Sequence, residues 1–265
     1  MSTPLPPPPK PRRVTPRPGA PRTESGEVSP DVAWPTPRTD GITAEAAFRV
    51  PFSIGIGIGL VAWTFVAQLL VGIVAVALGI DLDDGGALRV IVVIAQIVTV
   101  AGTIFILRQS GRLSWRLWGP TRPSLRDLGV GLGAGLAGYA IVLAWIFLFT
   151  SIFGQPDPVE QALLRDVGTS VTVIVTSFLA AVLMAPIVEE IVFRGVLFQA
   201  LRRRLGLIGA MAVSAGIFTG VHVELYPPGG AFQPVAVVAL FLLGAWLAYS
   251  FHRSGSLTVP ILAHA

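Results

Sequence analysis

Cysteine is absent from the 265 residues. That excludes a disulfide framework, a thiolate nucleophile and a thiolate metal site. Charge is scarce as well. Asp, Glu, Lys and Arg make up 13% of the chain, against roughly 25% in an average soluble domain. Twelve of the thirty-four charged residues stand in the first 49 positions, so the remainder is too poor in charge to build a water-soluble surface. Neither an HExxH pair nor a serine or cysteine triad is present, and there is no solenoid repeat. No apolar stretch follows the N-terminal charges closely enough for a signal peptide. The sequence pI near 10.3 raises the question of a nucleic-acid partner. The arginines exclude one, because they fall in an N-terminal tail and in short loops between apolar runs.

What is abundant is apolar: 53% of residues are hydrophobic. Residues 1–41 stand apart, with twelve of the twenty-two prolines and six of the nineteen Lys/Arg residues. Such a stretch buries too little apolar surface to offset its ordering entropy, and residues 1–48 read as a disordered, basic, Pro-rich cytoplasmic tail. Beyond it, runs long enough for a spanning helix of about 20 residues cover Phe52–Ile80, Leu88–Leu107, Leu128–Phe153, Thr169–Leu201 with Pro186 inside it, Leu207–Leu225 and Pro234–Phe251. A seventh begins at Ser256 and stops at Ala265. The expected fold is an all-α polytopic transmembrane bundle of about seven spans, the last one truncated. Residues 49–168 form a three-span region and 169–265 the part that carries the chemistry. The glycine rows Gly55-Gly57-Gly59 and Gly131-Gly133-Gly135 lie in apolar helices, where they permit close packing. Loop charges orient the bundle. Arg108, Arg112, Arg116, Arg122 and Arg126, then Arg202, Arg203 and Arg204, then Arg253 share one side with the basic tail. Asp81, Asp83, Asp84, Asp157, Glu160 and Asp166 take the other, with Arg89 and Arg165. The positive-inside rule then predicts a multi-pass protein of the cell membrane with a cytoplasmic N-terminus.

Ionisable residues inside the spans concentrate in one region: Glu189, Glu190 and Arg194, then His222, then His264, with Glu224 at the outer end of its run. A charge at the bilayer centre costs about 2.5–3.5 kcal/mol even on the mild insertion scale, so three within six residues must pair or line a wet cavity. At about 1.5 Å per residue, Glu189 lies about 18 Å, His222 about 22 Å and His264 about 12 Å from the cytoplasmic ends of their helices. One carboxylate and two imidazoles from three helices therefore reach the same half of the membrane. Glu190 and Arg194 are spaced i, i+4 and can pair. Glu189 points about 100° away and is the freer carboxylate. Phe218 lies one turn before His222 and can wall the site. The bland reading is a buried ion pair and packing histidines that only lock helices together.

The same residues carry a resemblance. Glu189-Glu190-Ile191-Val192-Phe193-Arg194 resembles the EExxxR motif, and Phe218-Thr219-Gly220-Val221-His222 the FxxxH motif, of the CAAX protease and bacteriocin-processing (CPBP, or Abi) membrane proteins. These include the type II CAAX prenyl endopeptidases. The stretch Gly244 to His264 resembles their closing HxxxN or HxxxD motif. The resemblance covers residues from Val171 on. It implies an intramembrane endopeptidase in which Glu189 and His222 activate a water and His264 stabilises the oxyanion. Glu190 and Arg194 would shape the site or hold substrate. The substrate implied is a membrane-associated peptide or protein approached from the cytoplasmic side.

Two mechanisms fit this residue set. Water activation needs no cofactor. Glu189, His222 and His264 also make a three-ligand zinc set with a fourth place for water, and the family has been labelled both metalloprotease and glutamate protease. The alternative function is a non-proteolytic membrane scaffold or bacteriocin-immunity-type protein that keeps the fold for binding. A transporter ranks third, since repeat symmetry is missing. The motif's Asn or Asp would fall three residues past Ala265. On this reading the chain is expected to be a fragment whose longer form completes the last span, and to be inactive or nearly so by itself.

Overall fold

The computed structural model describes residues 52–82, 84–113, 118, 124–154, 171–222 and 234–265. The expected tail lies outside them, as do Asp83, Arg116, Arg122, Asp157, Glu160, Arg165, Asp166 and Glu224. Among the described residues the chain is all-helical, with no strand. Helix α1 is Ile54–Ala77, α2 Gly85–Gln109 and α3 Leu125–Phe153. A long interrupted helix follows: α4 Val171–Ser177, a π-helical segment Phe178–Met184, α5 Ala185–Glu190, a second π-helical segment Ile191–Phe198, and α6 Gln199–Gly220. Helices α7, Pro234–Ser254, and α8, Thr258–His264, complete it.

Local chemistry sets several of these ends. The Ser53 hydroxyl accepts from the Ile56 N–H at 3.3 Å at the start of α1. Asp84 accepts from the Gly86 N–H at 2.8 Å at the start of α2. Both satisfy donors that a helix N-terminus leaves open. Before α3, the Asp127 carboxylate accepts from the Ser124 N–H at 3.2 Å and from its hydroxyl at 3.1 Å.

Among the described residues five helices are long and apolar enough to cross a membrane: Ile54–Ala77, Gly86–Gln109, Leu125–Phe153, Ile174–Gly220 and Pro234–Ser254. The expectation of about seven spans is a little more than this, for two reasons. First, the expected fourth and fifth spans are continuous in the 47-residue stretch Ile174–Gly220. At 1.5 Å per residue that stretch would reach about 70 Å, over twice the hydrocarbon thickness of about 30 Å. It is broken at Gly206, where φ is 68° and ψ −170°, a conformation open essentially to glycine alone. Second, α8 has seven residues. The expected fifth span also ends sooner, at Gly220, which leaves His222 just beyond a helix rather than inside one. Arg89, expected among the loop charges, lies within α2 and is buried.

Large apolar side chains cover the outside. On α3, Leu132, Leu136 and Phe147 are 65%, 73% and 73% exposed, a surface suited to lipid and not to water. This is a multi-pass membrane architecture. In lipid, helices gain little from burying apolar area and associate through close packing and hydrogen bonds. Both are visible. Trp63 Nε1 donates to the Thr99 carbonyl at 3.1 Å, joining α1 to α2. Trp246 Nε1 donates to Ala134 at 2.8 Å, and Trp145 Nε1 to Val235 at 2.8 Å, joining α7 to α3. Close backbone approach occurs at Gly57, where a methyl group would lie 3.0 Å from Leu197 Cα, and at Gly244, where one would lie 3.2 Å from Ala215 Cα. The buried core gathers around the second π segment, with Val196, Leu197 and Phe198 packed among Phe52, Leu60, Phe218 and Phe251.

Candidate active site

The six residues of α5 carry the two glutamates between the two π-helical segments. Pro186, in the first turn of α5, has no N–H to give to the preceding turn. The chain meets it with the wider i→i+5 pattern, in which the Ala185 N–H reaches the Ala180 carbonyl. Such π turns are rare, and frequent at functional sites.

Glu190 and Arg194 are fully buried. Arg194 Nη1 donates to Glu190 Oε1 at 2.8 Å and Nη2 to the Gly244 carbonyl at 3.0 Å. The close approach of α7 at Gly244 brings that carbonyl within reach. The guanidinium stands 4.7 Å from the centre of the Phe218 ring, a cation–π contact. Glu190 Oε1 has a second partner: His264 Nδ1 lies 3.0 Å away. A carboxylate paired with arginine accepts, so this Nδ1 carries the hydrogen and Nε2 faces the other way.

His222 is held in a matching fashion. Its Nδ1 lies 2.6 Å from the Phe218 carbonyl, and a carbonyl can only accept. That carbonyl belongs to the last turn of α6, where helix acceptors lack backbone partners; the His222 N–H itself goes to Thr219 O at 3.2 Å. One imidazole thus caps the helix and fixes its own orientation. The Phe218 ring lies beneath both histidines, with its centroid 4.6 Å from His222 and 5.9 Å from His264.

With both Nδ1 atoms anchored, both Nε2 atoms turn to Glu189. Its Oε2 is 4.0 Å from His222 Nε2 and 3.8 Å from His264 Nε2. These separations exceed a direct hydrogen bond and suit one water with arms of about 2.8 Å. Glu189 is a quarter exposed, whereas Glu190 is not exposed at all. The structure therefore brings together all six residues singled out by sequence: Glu189, Glu190, Arg194, Phe218, His222 and His264. Beside the expected Glu189–His222–His264 trio, His264 also hydrogen-bonds Glu190. Sequence spacing could not show this, because the contact depends on where α8 packs. The Gly244 carbonyl was also missed. Its signal was a glycine in an apolar helix, which marks close approach.

The zinc alternative fits these donors poorly. Tetrahedral zinc with bonds of about 2.0–2.2 Å places its ligands about 3.3–3.6 Å apart, and 3.8 and 4.0 Å are wider. No group of three His, Cys, Asp or Glu among the described residues is arranged to hold a metal ion.

Residues 171–265 match the family model described as Type II CAAX prenyl endopeptidase Rce1-like. The chain is 28% identical over 171 residues to an Escherichia coli protein described as an uncharacterized 24.3 kDa protein, an alignment covering 62% of this chain and 73% of that one. No solved structure matches it. The family match begins at the first residue of α4 and takes in all three motif segments, so residues 171–265, with Glu189, His222 and His264 inside them, form a Rce1-like domain of the CPBP family.

Proposed function

We propose that this protein is an intramembrane endopeptidase that hydrolyses a membrane-associated peptide or protein, reached from the cytoplasmic side, by a water activated at Glu189. The observation that carries the proposal is the placing of Glu189 Oε2 within 4.0 Å of two imidazole Nε2 atoms whose opposite nitrogens are tied down. A water between Glu189 and His222 gives a proton to the carboxylate as its oxygen attacks the scissile carbonyl carbon. Negative charge develops on the carbonyl oxygen and meets His264, oriented by Glu190. The intermediate collapses as the proton passes from Glu189 to the leaving nitrogen. The C–N bond breaks, leaving a carboxylic acid and an amine. Charge supports the assignment. Glu189, Glu190 and Arg194 sum to −1, and the cluster is neutral when one imidazole carries a proton. His264 in that form donates from both nitrogens, one to Glu190 and one to the oxyanion.

The test is a peptidase assay of the 265-residue chain in lipid vesicles with a membrane-peptide library. Glu189→Gln keeps the shape and removes the base. It should lower the rate by about 10²–10⁴-fold, while a chelator leaves the wild-type rate unchanged. No cleavage would end the proposal; a rate lost to chelator and restored by zinc would replace the water mechanism.

A further inference from the structure

The histidine that meets the oxyanion in the proposed reaction sits on α8, and α8 is held in place by contacts with other helices. Helix α8 is seven residues long, too short to be stable by itself. Its surroundings are specific. Gly131 and Gly135, one turn apart on α3, lie against it. A methyl group at Gly131 would stand 2.7 Å from Leu262 Cβ and 3.3 Å from the Val259 carbonyl oxygen. One at Gly135 would stand 3.3 Å from Ala263 Cα. The intervening Gly133 and the preceding Gly129 meet nothing within 4 Å. Trp118, from the loop before α3, clasps the start of α8. Its carbonyl accepts from the Leu257 N–H at 2.8 Å, and its indole donates to Thr258 Oγ1 at 3.3 Å.

Leu262 and His264 are two positions apart, about 200° around the helix. The face that rests on Gly131 is therefore opposite the face that presents His264 to Glu190. Any thickening of α3 at Gly131 displaces α8 along the line joining the two contacts. We propose that Gly131, Gly135 and Trp118, outside the matched domain, are positioning residues for the reaction: they set the depth and direction of His264. This rests on the assignment of His264 to the oxyanion, yet it can be tested apart from it.

The experiment compares Gly131→Ala with the reciprocal pair Gly131→Ala/Leu262→Gly, with Gly133→Ala as a neutral control and with Gly102→Ala as a packing control. The last crowds Trp63 between α1 and α2, away from α8. Two readouts are taken on the full chain. One is the 15N–1H signal of the His264 Nδ1–H in histidine-labelled protein, which has three histidines to assign. The other is kcat and KM. Gly131→Ala should shift or broaden the His264 signal and lower kcat by about 100-fold with KM little changed, the cost of misplacing a reacting group by about 1 Å. The reciprocal pair should restore both. Gly133→Ala should match wild type, and Gly102→Ala should lower thermal stability without moving the His264 signal. An unmoved signal in Gly131→Ala, or one that Leu262→Gly does not bring back, overturns the proposal. Should Gly131→Ala not fold, Trp118→Phe decides by the same signal, and an unshifted His264 rejects it. If wild type cleaves nothing, the catalytic reading fails, while the His264 signal still judges the positioning.

Discussion

The two adjacent glutamates differ in burial and in partners, so the same substitution has different consequences at each. Among the described residues Glu189 Oε2 has no hydrogen-bond partner; it faces two imidazoles across gaps of 4.0 and 3.8 Å. Glu189→Gln therefore loses chemistry and keeps the fold. Glu190 Oε1 is shared by Arg194 and His264. Glu190→Gln leaves a fully buried guanidinium without its anion, a change that costs about 3–5 kcal/mol, and also frees His264. It should lower the unfolding free energy by that amount in denaturant titration, and Arg194→Met in the same background should recover part of the loss. If Glu189→Gln and Glu190→Gln lose equal stability and equal activity, the division of labour between them is wrong. The i, i+4 spacing of Glu190 and Arg194 made their pairing legible from sequence. The bond from His264 was not, because it joins residues 74 positions apart and needs the placement of α8.

At the scale of elements, apolar length and loop charge revealed the helices, and their ends proved harder to read. Leu201 and Leu207 bracket a run of arginines that reads as a loop, yet the helix continues through it and turns at one residue. The backbone at Gly206 (φ 68°, ψ −170°) lies where a side chain is strained by about 1–3 kcal/mol. Nothing stands within 4 Å of an added methyl group there, so sterics with neighbours do not contribute. Gly206→Ala should thus destabilise by about 1–3 kcal/mol through the backbone alone, measured as a lowered denaturation midpoint. Gly216→Ala, a helical glycine in equally open space, should instead be neutral or stabilising by up to about 1 kcal/mol. Equal effects at both positions would mean that the break is not built into the chain. His222 shows the same limit of sequence reading. Its place past the helix end was not legible, since its Nδ1 replaces a backbone partner at the Phe218 carbonyl.

For the whole molecule, the asymmetry of loop charge and the chemistry of the site must agree. Arg202, Arg203 and Arg204 follow directly on the helical run that carries Glu189, and the positive-inside rule predicts that such an end faces the cytoplasm. Glu189 is twelve residues before Leu201 on that run. On the proposed cytoplasmic approach, a substrate segment would reach the carboxylate from that end. The chain's lack of cysteine makes the orientation directly measurable, because each introduced thiol is the only one. Asp81 lies between α1 and α2 and Arg203 within α6, and both are exposed. Asp81→Cys should react with a membrane-impermeant maleimide in intact cells, and Arg203→Cys only after permeabilisation. The reverse pattern would invert the bundle and move the proposed substrate entry to the other side of the membrane.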